Sequence, residues 1–192
     1  MKTIITAAKL LLVMTLITGL AYPLLITVVA KVLFPDKAAG SPISKNGIVI
    51  GSELIGQKFA GQQYFWPRPS AIDYNPLPSG GSNLGPISAA LKEIITERRT
   101  RFQVISGTEE EIPLDLLLAS ASGLDPHISP VAARYQVDRI FRTRNLDQMT
   151  KTSLFNLIDI YIEYPTLGLL GEPRVNVLKL NLALDSLAGV LR

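Results

Sequence analysis

Residues 10–30 form an apolar run of 21 residues without a charged side chain, LLLVMTLITGLAYPLLITVVA. Lys9 precedes the run and Lys31 follows it. A helix rises about 1.5 Å per residue, so the run spans about 31 Å, close to the hydrocarbon thickness of a bilayer. Because a helix satisfies its backbone hydrogen bonds internally, the run predicts a transmembrane helix, which we place at residues 10–34. Pro23, past the middle of the run, predicts a kink.

Two other interpretations of this run stay open. A secretory signal peptide also has a basic start before an apolar segment, although that segment usually has about 7–15 residues. The triplet Val28-Val29-Ala30 is a tolerable cleavage site. A soluble core helix is the third interpretation, although such helices are rarely apolar on all sides. We favour the membrane anchor, with residues 1–9 as a short cytoplasmic tip.

The positive charge of the chain is concentrated at its start. The formal net charge is +3, and the first 35 residues contain Lys2, Lys9 and Lys31 but no acidic residue. Residues 36–192 hold 16 Lys and Arg against 16 Asp and Glu, so this part is neutral. It lacks the basic footprint of a nucleic-acid-binding domain, and we expect no such partner. The chain has no cysteine, which excludes disulfides and thiolate metal sites.

The chain after the apolar run mixes helix-like and strand-like segments. Residues 35–45 are rich in Pro, Gly, Ser and Ala and are predicted to be a linker, followed by one domain over residues 46–192. We predict an α+β protein, in which a single N-terminal transmembrane helix precedes one compact mixed α/β extracytoplasmic domain. Strands are predicted at residues 47–51, 102–105, 160–163 and 175–177. Helices are predicted from Pro86, from Pro130 after a capping Ser129, over residues 147–158 and over residues 180–191.

Residues 59–85 form a segment with five aromatic residues and four prolines, in which no helix or strand period survives. A structureless segment of this length in a compact domain usually has a use. One interpretation is a binding loop displayed on a scaffold, and the other is a self-packed Ω-loop whose aromatics fill its own core. The candidate partner-binding residues are Tyr64, Phe65, Trp66, Arg68, Tyr74 and Asn75.

A glycine-rich turn, SGGS at residues 79–82, precedes the helix predicted from Pro86. Free N–H groups at such a turn can bind an anion, so one hypothesis is a nucleotide-binding module. No Lys follows the glycines as it does in a phosphate-binding loop, and the alternative is a tight turn with a Ser or Asn cap. The candidate nucleotide-binding residues are Ser79, Gly80, Gly81, Ser82, Gln136 and Arg139.

The helix predicted from Pro130 has an apolar stripe at Ala133, Val137 and Ile140. We predict that its other side is a solvated polar face, with a partner-binding surface as the alternative. The residues of this polar face are Gln136, Arg139, Arg142 and Arg144.

His127 is the only histidine of the chain, and it lies close in sequence to Ser122 and Asp125. A hydrolase using Ser122 and His127 is one hypothesis, but a catalytic triad needs its base between the other two members, which one short loop does not easily provide. A catalytic zinc site needs about three protein ligands. We therefore predict no catalytic residue and no metal site, and we assign Asp125, His127 and Ser129 to fixing their loop.

Short motifs along nearly the whole chain resemble those of the KdpC family, the small subunits of Kdp-type potassium transporters, which are P-type ATPases. The motifs keep the order of that family, and together they are specific. They include Ile55-Gly56-Gln57, Tyr64-Phe65, Arg68-Pro69-Ser70-Ala71, Tyr74-Asn75, SGGSNLGP at 79–86, SGLDPHISP at 122–130, Gln136-Val137, Arg139, Gly171-Glu172-Pro173, Val175-Asn176-Val177-Leu178 and LNLALD at 180–185. Ala121 and Ile87-Ser88 depart from the usual residues of the family.

The resemblance implies a non-catalytic subunit of a bacterial inner-membrane complex, whose partners are a channel-like potassium-binding subunit and an ATP-hydrolysing subunit. It implies one membrane helix, a cytoplasmic N-terminus and an extracytoplasmic domain. It also implies a catalytic chaperone that raises the ATP affinity of the ATP-hydrolysing subunit, with ATP as a shared ligand and no covalently bound cofactor. Because an outer domain cannot touch cytoplasmic ATP, that effect would have to pass through the membrane subunits.

Overall fold

The computed structural model describes residues 1–107 and 110–190, and the chain divides into two units between Ser52 and Glu53. Within the described residues, one helical stretch, Lys2–Leu33, is long and apolar enough to cross a membrane. Together with the mixed helices and strands that follow, this stretch confirms the predicted fold class.

The apolar stretch consists of helix α1 (Lys2–Leu16), a π-helical turn (Ile17–Ala21) and helix α2 (Tyr22–Leu33). The π-helical turn ends two residues before Pro23. Proline lacks a backbone N–H and its ring clashes with the preceding turn, and a π-helical turn is one way to absorb that misfit. Thr18 and Thr27 each donate a hydroxyl hydrogen bond of 2.7 Å to the carbonyl four residues earlier. Neither hydroxyl is therefore left unpaired in an apolar helix.

The first unit ends in a short helix and a hairpin. Helix α3 covers Pro35–Ala38, and strands β1 (Pro42–Lys45) and β2 (Ile48–Ser52) pair antiparallel with a register shift between Ile43 and Ser44. Asn46 and Gly47 connect the strands with φ angles of 53° and 78°. This is the Asn-Gly turn chemistry that favours tight hairpins. Strand β2 confirms the strand predicted at residues 47–51, while α3 and β1 lie in the stretch predicted as a linker.

The second unit surrounds a small antiparallel sheet with helices. Its three strands have the order β3-β5-β4, with β5 in the centre. The strands are β3 (His127–Ile128), β4 (Ile162–Glu163) and β5 (Arg174–Asn176). The helices are α4 (Ala89–Ser106), α5 (Leu114–Leu117), α6 (Pro130–Tyr135), α7 (Val137–Thr143), α8 (Gln148–Ile160) and α9 (Val177–Val190).

One continuous apolar core holds the second unit together. Its side chains come from helices α4 to α9, from β3 and β5, and from the irregular segment before α4. Fully buried members include Phe65, Leu116, Leu117, Ile140, Leu154, Ile158, Val175, Leu180 and Leu184. Phe65 is the notable member, because it lies outside any helix or strand and is completely inaccessible to solvent.

Helix α4 differs from the prediction at both ends. It begins after Ser88, whose hydroxyl accepts a long bond of 3.5 Å from Leu91 N–H, rather than at Pro86. It also continues through residues 102–105, so the strand predicted there is wrong. Short apolar runs do not distinguish helix from strand by period alone. Gly107, at φ 63°, provides the left-handed residue that ends the helix.

Two predicted helix starts are confirmed by their caps. Ser129 Oγ accepts a 3.0 Å bond from Ala132 N–H at the start of α6. Asp147 accepts a 2.8 Å bond from Thr150 N–H at the start of α8. The last helix begins three residues earlier than predicted, and residue 191 of that prediction lies outside the described residues.

Candidate functional site

Two buried amide side chains hold the segment that contains Phe65 and Trp66. Asn181 on α9 accepts from Phe65 N–H at 2.8 Å and donates to Phe65 C=O at 3.0 Å. Gln136, between α6 and α7, accepts from Trp66 N–H at 2.7 Å and donates to Trp66 C=O at 3.1 Å. We call Gln136 and Asn181 the amide clamp. Each amide satisfies both backbone groups of one residue, as a neighbouring strand would.

Arg139 completes the clamp with a buried positive charge. Its side chain is 3% exposed and donates to the carbonyls of Gln62 and Tyr64 and, at 2.6 Å, to Gln136 Oε1. The guanidinium lies 4.1 Å from the centroid of the Trp66 ring, within range of a cation–π interaction. Burial, reinforced by the neighbouring charge of Arg101, lowers the pKa of Arg139 to about 10.

These contacts correct the prediction of a solvated polar face. Gln136 and Arg139 are buried, because the irregular segment before α4 covers this side of α6 and α7. Arg144 also turns toward that segment and donates at 2.8 Å to Gln63 C=O and to Asp185. Most of this polar face is therefore an internal polar layer.

The segment predicted to bind a partner is packed mainly against its own domain. Phe65 is fully buried and Trp66 is 7% exposed, with the Phe102 ring 5.4 Å from the Trp66 ring. The two side chains are therefore packed inward rather than displayed, but they fill the core of the whole unit and not a core of the segment itself. Tyr64 is half-buried, and its hydroxyl lies 3.2 Å from Asp185. Asn75 is exposed, so partner binding by the outer part of the segment stays a prediction.

Tyr74 fixes the far end of the same segment. Its hydroxyl donates a 2.6 Å hydrogen bond to Arg68 C=O. Burial raises the pKa of Tyr74 to about 12, and the negative charge of Asp73 acts in the same direction. The positive charge of Arg98 opposes this rise only in part. Ser70 Oγ accepts from Tyr74 N–H at 2.9 Å, which closes the turn between them.

The glycine-rich turn lies against the loop at residues 120–124. Gly80 N–H donates to Ser122 C=O at 3.1 Å, and a Cβ on Gly81 would lie only 2.8 Å from Ala121 O. One free N–H of the predicted anion site is therefore used within the fold. Ser79 and Ser82 are exposed.

A cavity of about 660 Å³ lies between this turn and α4. It is lined by Gly81, Ser82, Arg98 and Arg101, among others, and Glu97 adds a negative charge. Gln136 and Arg139 are bonded to residues 62–66 instead. The six candidate nucleotide-binding residues are thus not brought together, and nucleotide binding stays a prediction.

A second polar cluster surrounds His127. Its Nδ1 lies 3.5 Å from Asp125 Oδ1, and its Nε2 lies 3.6 Å from Glu163 Oε2, across the central strand. Asp125 Oδ1 also accepts from His127 N–H at 3.0 Å, while Arg68 lies 3.2 Å from Asp125 Oδ2. Burial favours the neutral acid, but the hydrogen bonds from His127 and the charge of Arg68 prevail and lower the pKa of Asp125.

The geometry of this cluster does not assemble a nucleophile and a base. Both ring nitrogens of His127 face carboxylates, and Ser122 Oγ accepts from Leu124 N–H at 3.1 Å. Ser129 caps α6, and its N–H donates to Asp115 Oδ2 at 2.7 Å. Among the described residues, no group of three or more His, Cys, Asp and Glu side chains is placed to hold a metal ion.

Asn181 is the member of the amide clamp that the sequence analysis did not single out as a site residue. It lies between Leu180 and Leu182 in a helix predicted only as amphipathic. The sequence signal for Asn181 was an amide on the apolar side of a helix, because a buried amide needs a hydrogen-bond partner. The sequence alone does not say that this partner lies 116 residues away in the chain.

In the part of the chain that the structure describes, one candidate membrane helix precedes a folded α+β unit, as in a membrane-anchored protein. A family model described as KdpC, the c chain of K+-transporting ATPase, matches residues 4–186. The chain is 50% identical to the potassium-transporting ATPase KdpC subunit of Polaromonas naphthalenivorans, covering 99% of this chain and 98% of the relative. It is 51% identical to the KdpC subunit of Methylococcus capsulatus, covering 94% of this chain and 96% of the relative. It is 50% identical to the KdpC subunit of Cereibacter sphaeroides, covering 92% of each chain. The chain therefore belongs to the KdpC family, which confirms the resemblance in its motifs.

Proposed function

We propose that the chain is a non-catalytic accessory subunit of an ATP-driven potassium import complex in a bacterial inner membrane. The observation that carries this proposal is the family match over residues 4–186, which includes the apolar helix as well as the folded unit. In this function the helix lies among the membrane segments of a channel-like potassium-binding subunit and an ATP-hydrolysing subunit.

The geometry of the folded unit supports a binding role. The buried polar groups Gln136, Arg139 and Asn181 are bonded to the backbone of residues 62–66, and His127 is held between two carboxylates. Side chains whose hydrogen-bonding groups are used in this way fix the folded unit and, with it, the shape of its surface. They are not free to exchange protons with a substrate. The neutral charge of residues 36–192 fits protein and lipid neighbours better than nucleic acid.

The finer proposal concerns ATP. The accessory protein stabilises the assembly and acts as a catalytic chaperone that raises the affinity of the ATP-hydrolysing subunit for ATP. The N-terminus is cytoplasmic and the folded unit is extracytoplasmic, so the effect on nucleotide is a coupling free energy transmitted through membrane helices. Lys2 and Lys9 lie at one end of the apolar run, and Lys31 and Lys37 lie at the other. The positive-inside rule therefore gives almost no preference for either orientation of the helix.

A pair of measurements tests this function. An enzymatic reporter fused after residue 192 is expected to be active only on the outer side, and mass spectrometry is expected to find residues 1–33 uncleaved. The complex purified with this chain should contain both larger subunits and bind ATP more tightly than the complex without it. A freely soluble, cleaved chain that never copurifies with either of them would contradict the proposal.

The second candidate function is a module that contacts ATP directly in a ternary complex. The cavity of about 660 Å³ favours it, because Arg98 and Arg101 line it beside Gly81 and Ser82. Titration of ATP into the detergent-solubilised chain tests this function. Binding that Arg101→Gln weakens and that Arg99→Gln leaves unchanged would support it, because Arg99 is exposed and does not line the cavity. Absence of binding at millimolar ATP would exclude it.

A further inference from the structure

The connection between β4 and β5 carries an exposed apolar surface. We call residues 164–170, with the sequence YPTLGLL, the apolar tip. Tyr164 is 74% exposed, Leu167 88%, Leu169 87% and Leu170 66%. Four large apolar side chains on one short loop are more than the scattered single residues of an ordinary surface, and contiguous patches of this kind mark interaction sites.

The apolar tip is a fixed turn whose backbone bonds to itself. Thr166 and Leu170 exchange two hydrogen bonds, at 2.9 Å and 3.0 Å, and form a β-bridge. Gly168 N–H donates to Pro165 C=O and Leu169 N–H to Thr166 C=O. The turn places Leu167 at φ 57° and Gly168 at φ 74°. Asn, Asp or Gly would occupy the position of Leu167 with less strain, so the turn displays a leucine at a conformational cost.

Two properties of the apolar tip suit hydrocarbon. No charged residue occurs from Tyr164 to Gly171. Four of its N–H groups already donate to carbonyls of the same loop, which lowers the penalty for taking the backbone out of water. A protein partner could pair such backbone groups with its own donors and acceptors, whereas hydrocarbon offers none, so the pairing within the loop meets the stricter requirement, that of lipid. Tyrosine, in addition, is a residue that settles at the boundary between lipid and water.

We propose that the apolar tip inserts into the interfacial layer of a lipid bilayer, as a second membrane contact in addition to the N-terminal helix. The charged residues at the base of the apolar tip limit the depth of its insertion. Glu163 pairs with Arg174 at 3.1 Å and lies 3.8 Å from Lys179, so these groups stay together at the water side. Glu172 is exposed and remains in water. This proposal rests on the membrane anchoring proposed above. Its test distinguishes failure of the apolar tip to insert from failure of the N-terminal helix to anchor the chain.

Cysteine labelling of the full chain tests the insertion, because the native chain has no cysteine. The variant Leu167→Cys, carrying a nitrobenzoxadiazole label, is reconstituted in phosphatidylcholine nanodiscs. The matched controls are Ile87→Cys and Met149→Cys, whose side chains are 99% and 83% exposed elsewhere on the folded unit. We expect blue-shifted emission only at position 167, and quenching by nitroxide-labelled phosphatidylcholine at least about twofold stronger there than at either control.

Two results would overturn the proposal. One is emission and lipid quenching at position 167 equal to the controls, in a chain that copurifies with the nanodisc. The other is a label shielded from aqueous iodide only when the other subunits of the complex are present, which would assign the apolar tip to a protein partner. Failure of the chain to enter the nanodisc at all would contradict the membrane anchor itself. The variant Leu169→Cys repeats the measurement at a second exposed position.

Discussion

At the scale of single residues, the amide clamp shows how a domain can fix an irregular segment in its core. Residues 65 and 66 belong to no helix or strand, yet their backbone groups are buried and would each be costly without a partner. Gln136 and Asn181 supply these partners from two different parts of the helical layer. Arg139 adds three further hydrogen bonds and a contact with the Trp66 ring.

We expect Gln136→Ala to lower the free energy of unfolding by about 2–4 kcal/mol, because it leaves both backbone groups of Trp66 unpaired in the core. Urea unfolding followed by the fluorescence of Trp66, the only tryptophan, measures this loss. The control is Arg134→Ala, whose side chain pairs with Asp159 at the surface and should change stability by less than about 0.5 kcal/mol. Equal effects of the two changes would argue against the clamp.

Asp125 links stability to pH in the acid range. Its pKa is lower in the folded chain than in the unfolded one, where it is about 3.9. The folded state therefore binds fewer protons there, so the stabilisation is complete above about pH 4 and disappears as the pH falls through the folded pKa. We expect Asp125→Asn to be less stable than the parent chain at pH 7, with a gap that closes on acidification. Asp159→Asn is the control, and a pH-independent gap for Asp125→Asn would refute the linkage.

At the scale of elements, local chemistry predicted the starts of helices α6 and α8 correctly, whereas α4 and α9 each begin three residues away from their predicted starts. Ser129 and Asp147 cap helices where the sequence placed them, because a capping side chain acts on the next three residues. Residues 102–105 were assigned to a strand from a short apolar run, but in helix α4 only Phe102 of the four is buried, against Trp66 and Tyr135 from distant parts of the chain. The sequence likewise indicated Gln136 and Arg139 as site residues but not their burial.

The loops at residues 79–85 and 120–124 approach each other closely enough to require glycine. A Cβ on Gly123 would lie 2.5 Å from Ile72 Cγ1 and 2.8 Å from Gly80 O, and its φ is 70°. We expect Gly123→Ala to lower the free energy of unfolding by more than about 1 kcal/mol, measured by urea unfolding. The control is Gly85→Ala, where a Cβ would meet nothing within 4 Å. A neutral Gly123→Ala would mean that the loops separate readily.

At the scale of the whole molecule, the two units differ in how their apolar side chains are placed. The first unit contains the helix that is apolar and exposed along its length, as a bilayer requires, whereas the second unit contains the apolar core. The apolar helix and the mixed helices and strands after it were predictable from the sequence, but the domain was predicted from residue 46, whereas the two units divide between Ser52 and Glu53. The strand order β3-β5-β4 was not predictable, since its strands have only two or three residues each.

We expect residues 53–192 to fold without the first unit, because every member of the apolar core lies after residue 53. Circular dichroism and Trp66 fluorescence should report one cooperative urea transition for this fragment. The variant Leu180→Asp, which places a charge at a fully buried position, should abolish that transition. A fragment without a cooperative transition would contradict this expectation and would show that residues 1–52 are needed for the second unit to fold.

The short strands of the second unit also affect its behaviour before assembly. The edge strands β3 and β4 have two residues each, and amide side chains occupy the backbone of residues 65 and 66. A passing chain therefore finds little exposed backbone on which to add a strand, and strand addition is a common start of aggregation. The second unit by itself should consequently resist stacking into fibrils through its strand edges.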